Sequence, residues 1–383
     1  MNQTPLTSQL LAEIMRDVHR YVPGLEQHLP TAVDRPLVRR VGIRGRERAR
    51  DIVERVASRA RFSHRHFDPH VSAARLRRIL ELSDGLEATF AALGDEDSRR
   101  AMLDVLKLRI LGPHHAPLRI TPDGYRQRQT YADRQLRAQR ATFEVSDPYF
   151  SPLSLYRVPV DGDGVVSLHS HSVDVVSVFL LEQYSYRHGA HNVAAQPGDV
   201  VLDVGGCWGD TALYFARLVG PKGKVFTFEF DPENLEILRT NLALNPELAG
   251  RIEVVEHALW SRTGDALEFV PLGRMTAVRR PDDRAAASLR VDTVTLDDFL
   301  EQKQVERVDF IKMDVEGAEL DVIAGAQETI SRMAPKLGIA AYHRDDDLVR
   351  IPEAIGAANP GYRVYLDSFS PAEDETILFA ARP

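Results

Sequence analysis

The 383-residue sequence predicts an α/β protein: a seven-stranded, Rossmann-like sheet in the order 3-2-1-4-5-7-6, preceded by a mainly helical N-terminal domain. Three observations carry this. The β-branched run Val200–Val204 reads as a buried strand that ends beside Asp203, passes through Gly205-Gly206-Cys207-Trp208-Gly209 and enters a helix at Thr211–Leu218. Strand and helix patterns then alternate regularly as far as residue 358. Last, Tyr362–Asp367 and Thr376–Ala381 read as two strands with a connection short enough for antiparallel pairing. Five parallel strands closed by a hairpin differ from the six parallel strands of a nicotinamide dehydrogenase.

The length suggests about two domains, and we place boundaries at 1–112 (helical), 113–165 (a connector and candidate substrate-site segment) and 166–383 (the α/β domain). With 44% hydrophobic and 27% charged residues the composition is that of a globular protein. A net charge of −8 argues against nucleic acid as the main partner. The single cysteine, Cys207, excludes an internal disulfide and a cysteine metal cluster, and suits a reducing compartment. There is no membrane-length apolar run and no signal-peptide pattern, so the expected location is cytoplasmic.

Leu10, Leu11, Ile14, Met15, Val18 and Tyr21 share one face of a first helix that ends before Pro23-Gly24. Residues 35–66 are arginine-rich; a solvated helix face is preferred there to a patch for an anionic carrier. Apolar residues from Leu76 to Leu108 recur at spacings of three and four, and Asp95-Glu96-Asp97-Ser98 resembles a helix start. His114-His115 reads as surface loop, because adjacent histidines do not share a helix face. The apolar segment from Ser172 is expected to form a helix ahead of the first strand, with His169 and His171 as candidates to face a pocket. In the α/β domain the strands are expected at Asp199–Val204, Lys224–Phe230, Arg251–His257, Val308–Met313 and Leu337–Tyr342. Helices are expected at Thr211–Val219, Pro232–Leu244, Ala318–Arg332 and Asp346–Ala358, with a β-ribbon near Ala266–Val270 and a loop around 271–288.

The chemistry-bearing residues fall at strand ends. Glu229 lies 26 residues after Asp203, near the ~20-residue offset at which an acid meets ribose hydroxyls. After the third strand, Glu256-His257-Ala258-Leu259-Trp260 lies where an adenine would rest, with ordinary core packing the alternative for Trp260. Ile311-Lys312-Met313-Asp314-Val315-Glu316-Gly317-Ala318-Glu319 brings three carboxylates to the mouth of strand 4, and Tyr342-His343 ends strand 5. Taken in order, Asp203-Val204-Gly205-Gly206, Phe228-Glu229, the segment 311–319 and Tyr342-His343 resemble the FkbM family of methyltransferases over about residues 170–383.

The resemblance implies the seven-stranded methyltransferase sheet, S-adenosylmethionine as cofactor, and methyl transfer to a hydroxyl of a sugar, polyketide or other secondary-metabolite or glycan acceptor, free or carrier-linked. Asp203, Gly205, Gly206, Trp208, Gly209, Asp210, Thr211, Glu229, Phe230, Ala258, Trp260 and Asp314 are the expected cofactor contacts. An alcohol is a poor nucleophile at neutral pH, so a base is needed; His343, with a side chain that ordinarily titrates near the working range, is preferred, with Asp314 supporting. A divalent metal among Asp314, Glu316 and Glu319 is conceivable, but an acid-decorated helix start is preferred. The competing readings are an NAD(P)-dependent oxidoreductase or epimerase, and a non-catalytic scaffold. The oligomeric state stays open, a homodimer included.

Overall fold

The computed structural model describes residues 6–21, 69–113, 119–146, 150–160, 164–271, 273–278 and 288–383. The arginine-rich 35–66 stretch, His114-His115, much of the 271–288 loop, and the side chains of Met15, Val18 and Tyr21 lie outside the described residues. No helix among the described residues is long and apolar enough to cross a membrane.

Helix α1 (Leu6–Tyr21) buries Leu6, Leu10 and Ile14, whereas Leu11, expected on the same face, is 37% exposed. The Glu87 carboxylate accepts from the Leu6 and Thr7 amides and so satisfies the open N–H groups of its first turn. The helical pattern further on forms α2 (Pro69–Glu81), α3 (Ser83–Ala92) and α4 (Glu96–Leu111). Asp95 caps α4 by accepting from the Ser98 amide at 2.8 Å. Leu86, Phe90, Met102 and Leu106 of these helices share one hydrophobic core with Leu348, Ile351, Leu366 and Leu378 from the C-terminal part of the chain.

The expected connector is more ordered than its composition suggests. It holds α5 (Pro122–Tyr131), capped by Thr121, followed by a widened π-type turn at Ala132–Leu136. Strands β1 (Arg137–Phe143), β2 (Leu153–Pro159) and β3 (Val165–Ser170) then form a sheet of order β1-β2-β3. The polar run Arg137–Phe143 shows no apolar alternation and is a strand because β2 supplies its partners. The Ser172 segment is helical as expected, with α6 (Ser172–Asp174) continuing in a π-type turn over Val175–Leu180. A hairpin of β4 (Tyr186–His188) and β5 (His191–Val193), not anticipated from the sequence, precedes the main sheet.

The α/β part runs β6 (Val200–Val204), α7 (Asp210–Val219), β7 (Lys224–Phe228), α8 (Pro232–Ala243), α9 (Pro246–Ala249) and β8 (Ile252–Val255). Next, β9 (Ala258–Leu259), β10 (Ala266–Val270), β11 (Ala277–Val278) and β12 (Leu289–Val294) form a second sheet of order β11-β10-β12-β9. The main sheet resumes with α10 (Leu296–Lys303), β13 (Phe310–Met313), α11 (Glu319–Ala324), α12 (Gln327–Arg332), β14 (Lys336–Ala340), α13 (Asp347–Ala358), β15 (Arg363–Ser368) and β16 (Thr376–Ala381). The single helix expected over 318–332 is therefore two. At the break, a Cβ on Gly325 would lie 2.1 Å from the Trp260 carbonyl oxygen, so the bare glycine lets the chain pass against the end of β9.

The seven strands lie in the order β8-β7-β6-β13-β14-β16-β15. Numbered within this domain, that is 3-2-1-4-5-7-6. β6, β7, β8, β13 and β14 pair in parallel, and β16 lies antiparallel to both β14 and β15. Between β6 and β13 the topology switches direction, and their C-terminal ends open a crevice of the kind where open α/β sheets bind ligands.

Candidate active site

The turn after β6 is shaped by its neighbours. The Gly205 and Gly206 amides both donate to the Phe228 carbonyl of β7, at 3.2 and 2.8 Å. Gly205 has φ +87°, and a Cβ there would sit 2.0 Å from the Asp314 carbonyl oxygen. Only glycine lets the turn approach the end of β13 so closely. The Gly209 amide donates to Gly206 O at 2.7 Å and closes the turn, after which Asp210 opens α7.

Asp203, expected to contact a cofactor, is instead an internal strut. It is fully buried, accepts from the hydroxyls of Thr211 (2.9 Å) and Thr227 (2.8 Å), and lies 3.3 Å from Lys312 Nζ. Lys312 also donates to the carbonyls of Val204 and Gly205, where β6 passes into the turn. A carboxylate and an ammonium buried together are tolerable only when their remaining valences are filled in this way. Thr211 is thereby committed to Asp203. Trp208 borders the crevice but is 1% exposed, its Nε1 donating to Asn234 Oδ1 at 3.1 Å and its ring packed with Phe150, Leu153 and Ile237.

Asp314 is where the crevice concentrates its polar contacts. It accepts from the hydroxyls of Tyr184 (2.9 Å) and Tyr342 (3.3 Å), and its Oδ1 lies 3.4 Å from His343 Nε2. Burial raises its carboxyl, but His343, Lys312 and the Tyr184 hydrogen bond outweigh that and hold it below the usual range. His343 has Glu319 Oε1 at 2.8 Å from Nδ1, and Glu316 Oε2 at 3.6 Å from Nε2. Burial alone would pull this imidazole down; the carboxylates of Glu319, Glu316 and Asp314 overcome it and push it up to about 10. At neutral pH it is an imidazolium with its proton already in place. The expectation of a His343 titrating near the working range is therefore corrected.

Along the same edge of the sheet, Glu229 follows β7 and Ala258 follows β8. Glu229 Oε1 accepts from the Phe230 and Asp231 amides at 2.6 and 2.8 Å, and Oε2 from Asn234 at 3.2 Å. Burial is the main reason its carboxyl rises to about 7. The Phe230 ring lies 4.4 Å from that of Phe269. Ala258 is paired with Thr293, and the Trp260 amide donates to Val294 O, so both are engaged within the second sheet. His169 and His171 do not line the crevice. His169 Nδ1 is 2.7 Å from the Thr142 hydroxyl, and His171 caps α6.

Several crevice residues had no role assigned from sequence. Tyr184, Lys312, Tyr342 and Glu375 line it, as does Arg274, which the sequence left inside an irregular loop. Arg274 enters between Asp174, with which it forms a hydrogen-bonded ion pair, and Glu375 at 3.7 Å, and its guanidinium lies 4.4 Å from the centre of the Phe150 ring. The enclosed space of the crevice is about 70 Å³, below the ~300–1,000 Å³ usual for small-molecule sites. Among the described residues, five crevice carboxylates, Asp174, Asp210, Asp314, Glu316 and Glu375, face two cations, Arg274 and Lys312. For Asp210 burial, with Asp174 adding to it, raises the carboxyl to about 7.

The sheet order and the glycine turn beside the switch point define a seven-stranded, Rossmann-like α/β domain of the methyltransferase type. Residues 188–364 match the model of the methyltransferase FkbM domain. Among curated relatives, the 2-O-methyltransferase NoeI of Sinorhizobium fredii is 33% identical over 156 residues, which cover 36% of this chain and 61% of the relative. The hexuronic acid methyltransferase AglP of Haloferax volcanii is 30% identical, over 34% of this chain and 51% of the relative. The 31-O-demethyl-FK506 methyltransferase FkbM of Streptomyces tacrolimicus is 27% identical, over 36% and 63%. The chain thus spans under two thirds of the length of each of these relatives. The crystal structure of methyltransferase FkbM from Methylobacillus flagellatus KT shares the fold, with a TM-score of 0.52 at 20% identity over 88% of this chain and 71% of that one.

Proposed function

We propose that the protein transfers a methyl group from S-adenosylmethionine to a hydroxyl of a sugar, polyketide or related acceptor, free or carrier-linked. The observation that carries this is the row of groups along one sheet edge within an FkbM domain: Asp314 after β13, the Gly205–Gly209 turn after β6, and Glu229 after β7. The names of the relatives, which refer to a 2-O-methyltransferase, a hexuronic acid methyltransferase and a 31-O-demethyl-FK506 methyltransferase, support an oxygen-bearing acceptor.

The residues present suit that cofactor. We assign Glu229, its Oε1 fixed by two amides, to the ribose hydroxyls, a charge-assisted contact when ionised. The crevice carries more carboxylates than cations, which complements a sulfonium. Its backbone turn after β6 lies against the Asp314 carbonyl at the end of β13. Bound S-adenosylmethionine supplies an electrophilic methyl group.

The chain's own part is alignment and proton removal. Asp314 takes the acceptor hydroxyl's proton in our reading, in place of His343, because the imidazole is already protonated while Asp314 is ionised. Tyr184 and Tyr342 hold that carboxylate in position, and His343 balances its charge. A methyl-transfer screen with isotopically labelled donor against hydroxylated glycans and polyketides tests the proposal. Methylated oxygen in the product supports it; absence of S-adenosylmethionine binding at millimolar concentration, measured by calorimetry, overturns it.

A further inference from the structure

Resting on that reading of the cofactor, we infer that the Gln183 carboxamide oxygen and the Asp210 carboxylate receive the α-ammonium group of its amino-acid portion.

Nothing in the sequence marks Gln183, which stands in the segment ahead of β6. In the fold its backbone amide donates to Ser177 O at 3.0 Å, which pins it to the π-type turn over Val175–Leu180. Its side-chain N–H group serves the Tyr184 hydroxyl, which itself donates to Asp314 at 2.9 Å. With the phenol proton spent on Asp314, only the NH₂ end of the carboxamide complements the phenol oxygen, and this fixes which way the amide faces. Oε1 is left over. The residue is 4% exposed and lines the enclosed space of the crevice, and Oε1 is buried with no hydrogen-bond donor among the described residues. Buried amide oxygens are nearly always paired, because leaving water without a replacement donor is costly.

Asp210 is a second open acceptor in the same space. It begins α7, is buried, and accepts no hydrogen bond from the described residues. By contrast, Asp314 is taken up by two tyrosines and His343, and Asp174 and Glu375 hold Arg274. A neutral oxygen and a carboxylate that both lack donors suit a compact cation rich in N–H groups. An ammonium offers three donors on one atom, whereas the acceptor hydroxyl has one and gives it to Asp314 in the proposed reaction. An ammonium beside Asp210 also favours its ionised form against the burial that raises it. Glu229, assigned to the ribose, does not border this space of about 70 Å³, so the amino-acid end is the part of the cofactor that enters it. Arg274, on the same wall, supplies the cation that the adjoining α-carboxylate needs.

Two ligands separate this contact from the rest of the cofactor. S-adenosylhomocysteine carries the α-ammonium; 5′-methylthioadenosine keeps the adenosine and the sulfur but lacks the amino-acid portion. Calorimetry on the full-length protein compares the wild type with Gln183→Met, which preserves the side-chain length. We expect the variant to bind S-adenosylhomocysteine about 10- to 100-fold more weakly, the loss of a hydrogen bond to a charged group, and methylthioadenosine as the wild type does. Asp210→Asn should show the same selective loss, and it serves if Gln183→Met does not fold. Equal losses for both ligands, or undiminished S-adenosylhomocysteine affinity in a folded variant, overturn the contact while leaving the cofactor reading intact. Wild-type protein that binds neither ligand overturns the cofactor reading itself, and the contact with it.

Discussion

At Asp314 two tyrosine hydroxyls, an imidazole and the field of a buried lysine converge on one carboxylate, which stays ionised despite its burial. Asp314→Asn keeps the shape and most of the hydrogen bonding but cannot take a proton. We expect turnover to fall about 10²- to 10⁴-fold with cofactor affinity changed little, measured by initial rates alongside calorimetry. Undiminished turnover would remove Asp314 from the role of base. Glu229 gives a second outcome at this scale. Its carboxyl titrates at about 7, and the ionised form is the better acceptor for ribose hydroxyls. Cofactor affinity should therefore be greatest above pH 7 and decline as the pH falls through that value, while Glu229→Gln should bind weakly with a flatter profile. Affinity that is independent of pH between 6 and 8 in the wild type would contradict the assignment. The offset of Glu229 from Asp203 is a sequence signal. The burial that moves its titration is not, because burial is a property of the folded chain.

The turn between β6 and α7 is the element on which the crevice depends. Gly205→Ala would combine a left-handed φ with a Cβ pressed on the Asp314 carbonyl. We expect a loss of roughly 2–5 kcal/mol, read from urea unfolding, together with impaired cofactor binding. The sequence exposed this element well, because a β-branched strand, a glycine turn and a helix start are all local signals. The β1-β2-β3 sheet was less legible, since a polar edge strand acquires its identity from its partner. Arg274 was not legible at all as a crevice residue. Its place follows from Asp174 and Glu375, which approach it from the helical segment before β4 and from the β15–β16 loop.

For the whole molecule, the N-terminal helices and the sheet share apolar contacts. Met102 is fully buried in the core that also contains Leu366 and Leu378, and Tyr186 of the β4–β5 hairpin donates to the α4 cap Asp95 at 2.7 Å. We expect Met102→Ala to cost about 2–5 kcal/mol, and the helices and sheet to lose structure in one transition. Far-ultraviolet dichroism and tryptophan fluorescence should then give coincident midpoints in the wild type and the variant. Two separated transitions would show that residues 1–112 fold independently.

The sequence by itself determined the strand and helix alternation, the glycine turn, the acids at strand ends and the terminal hairpin, because each is encoded in residues close along the chain. Tertiary structure decided which of those groups reach the crevice. Asp203 turned inward to Thr211, Thr227 and Lys312, and His343 met three carboxylates that hold its proton. Burial and charge pairing depend on what the fold brings within a few ångströms, and here the partners come from different strands. A residue's type and spacing name the chemistry available to it; its neighbours in space fix its protonation and what it can touch.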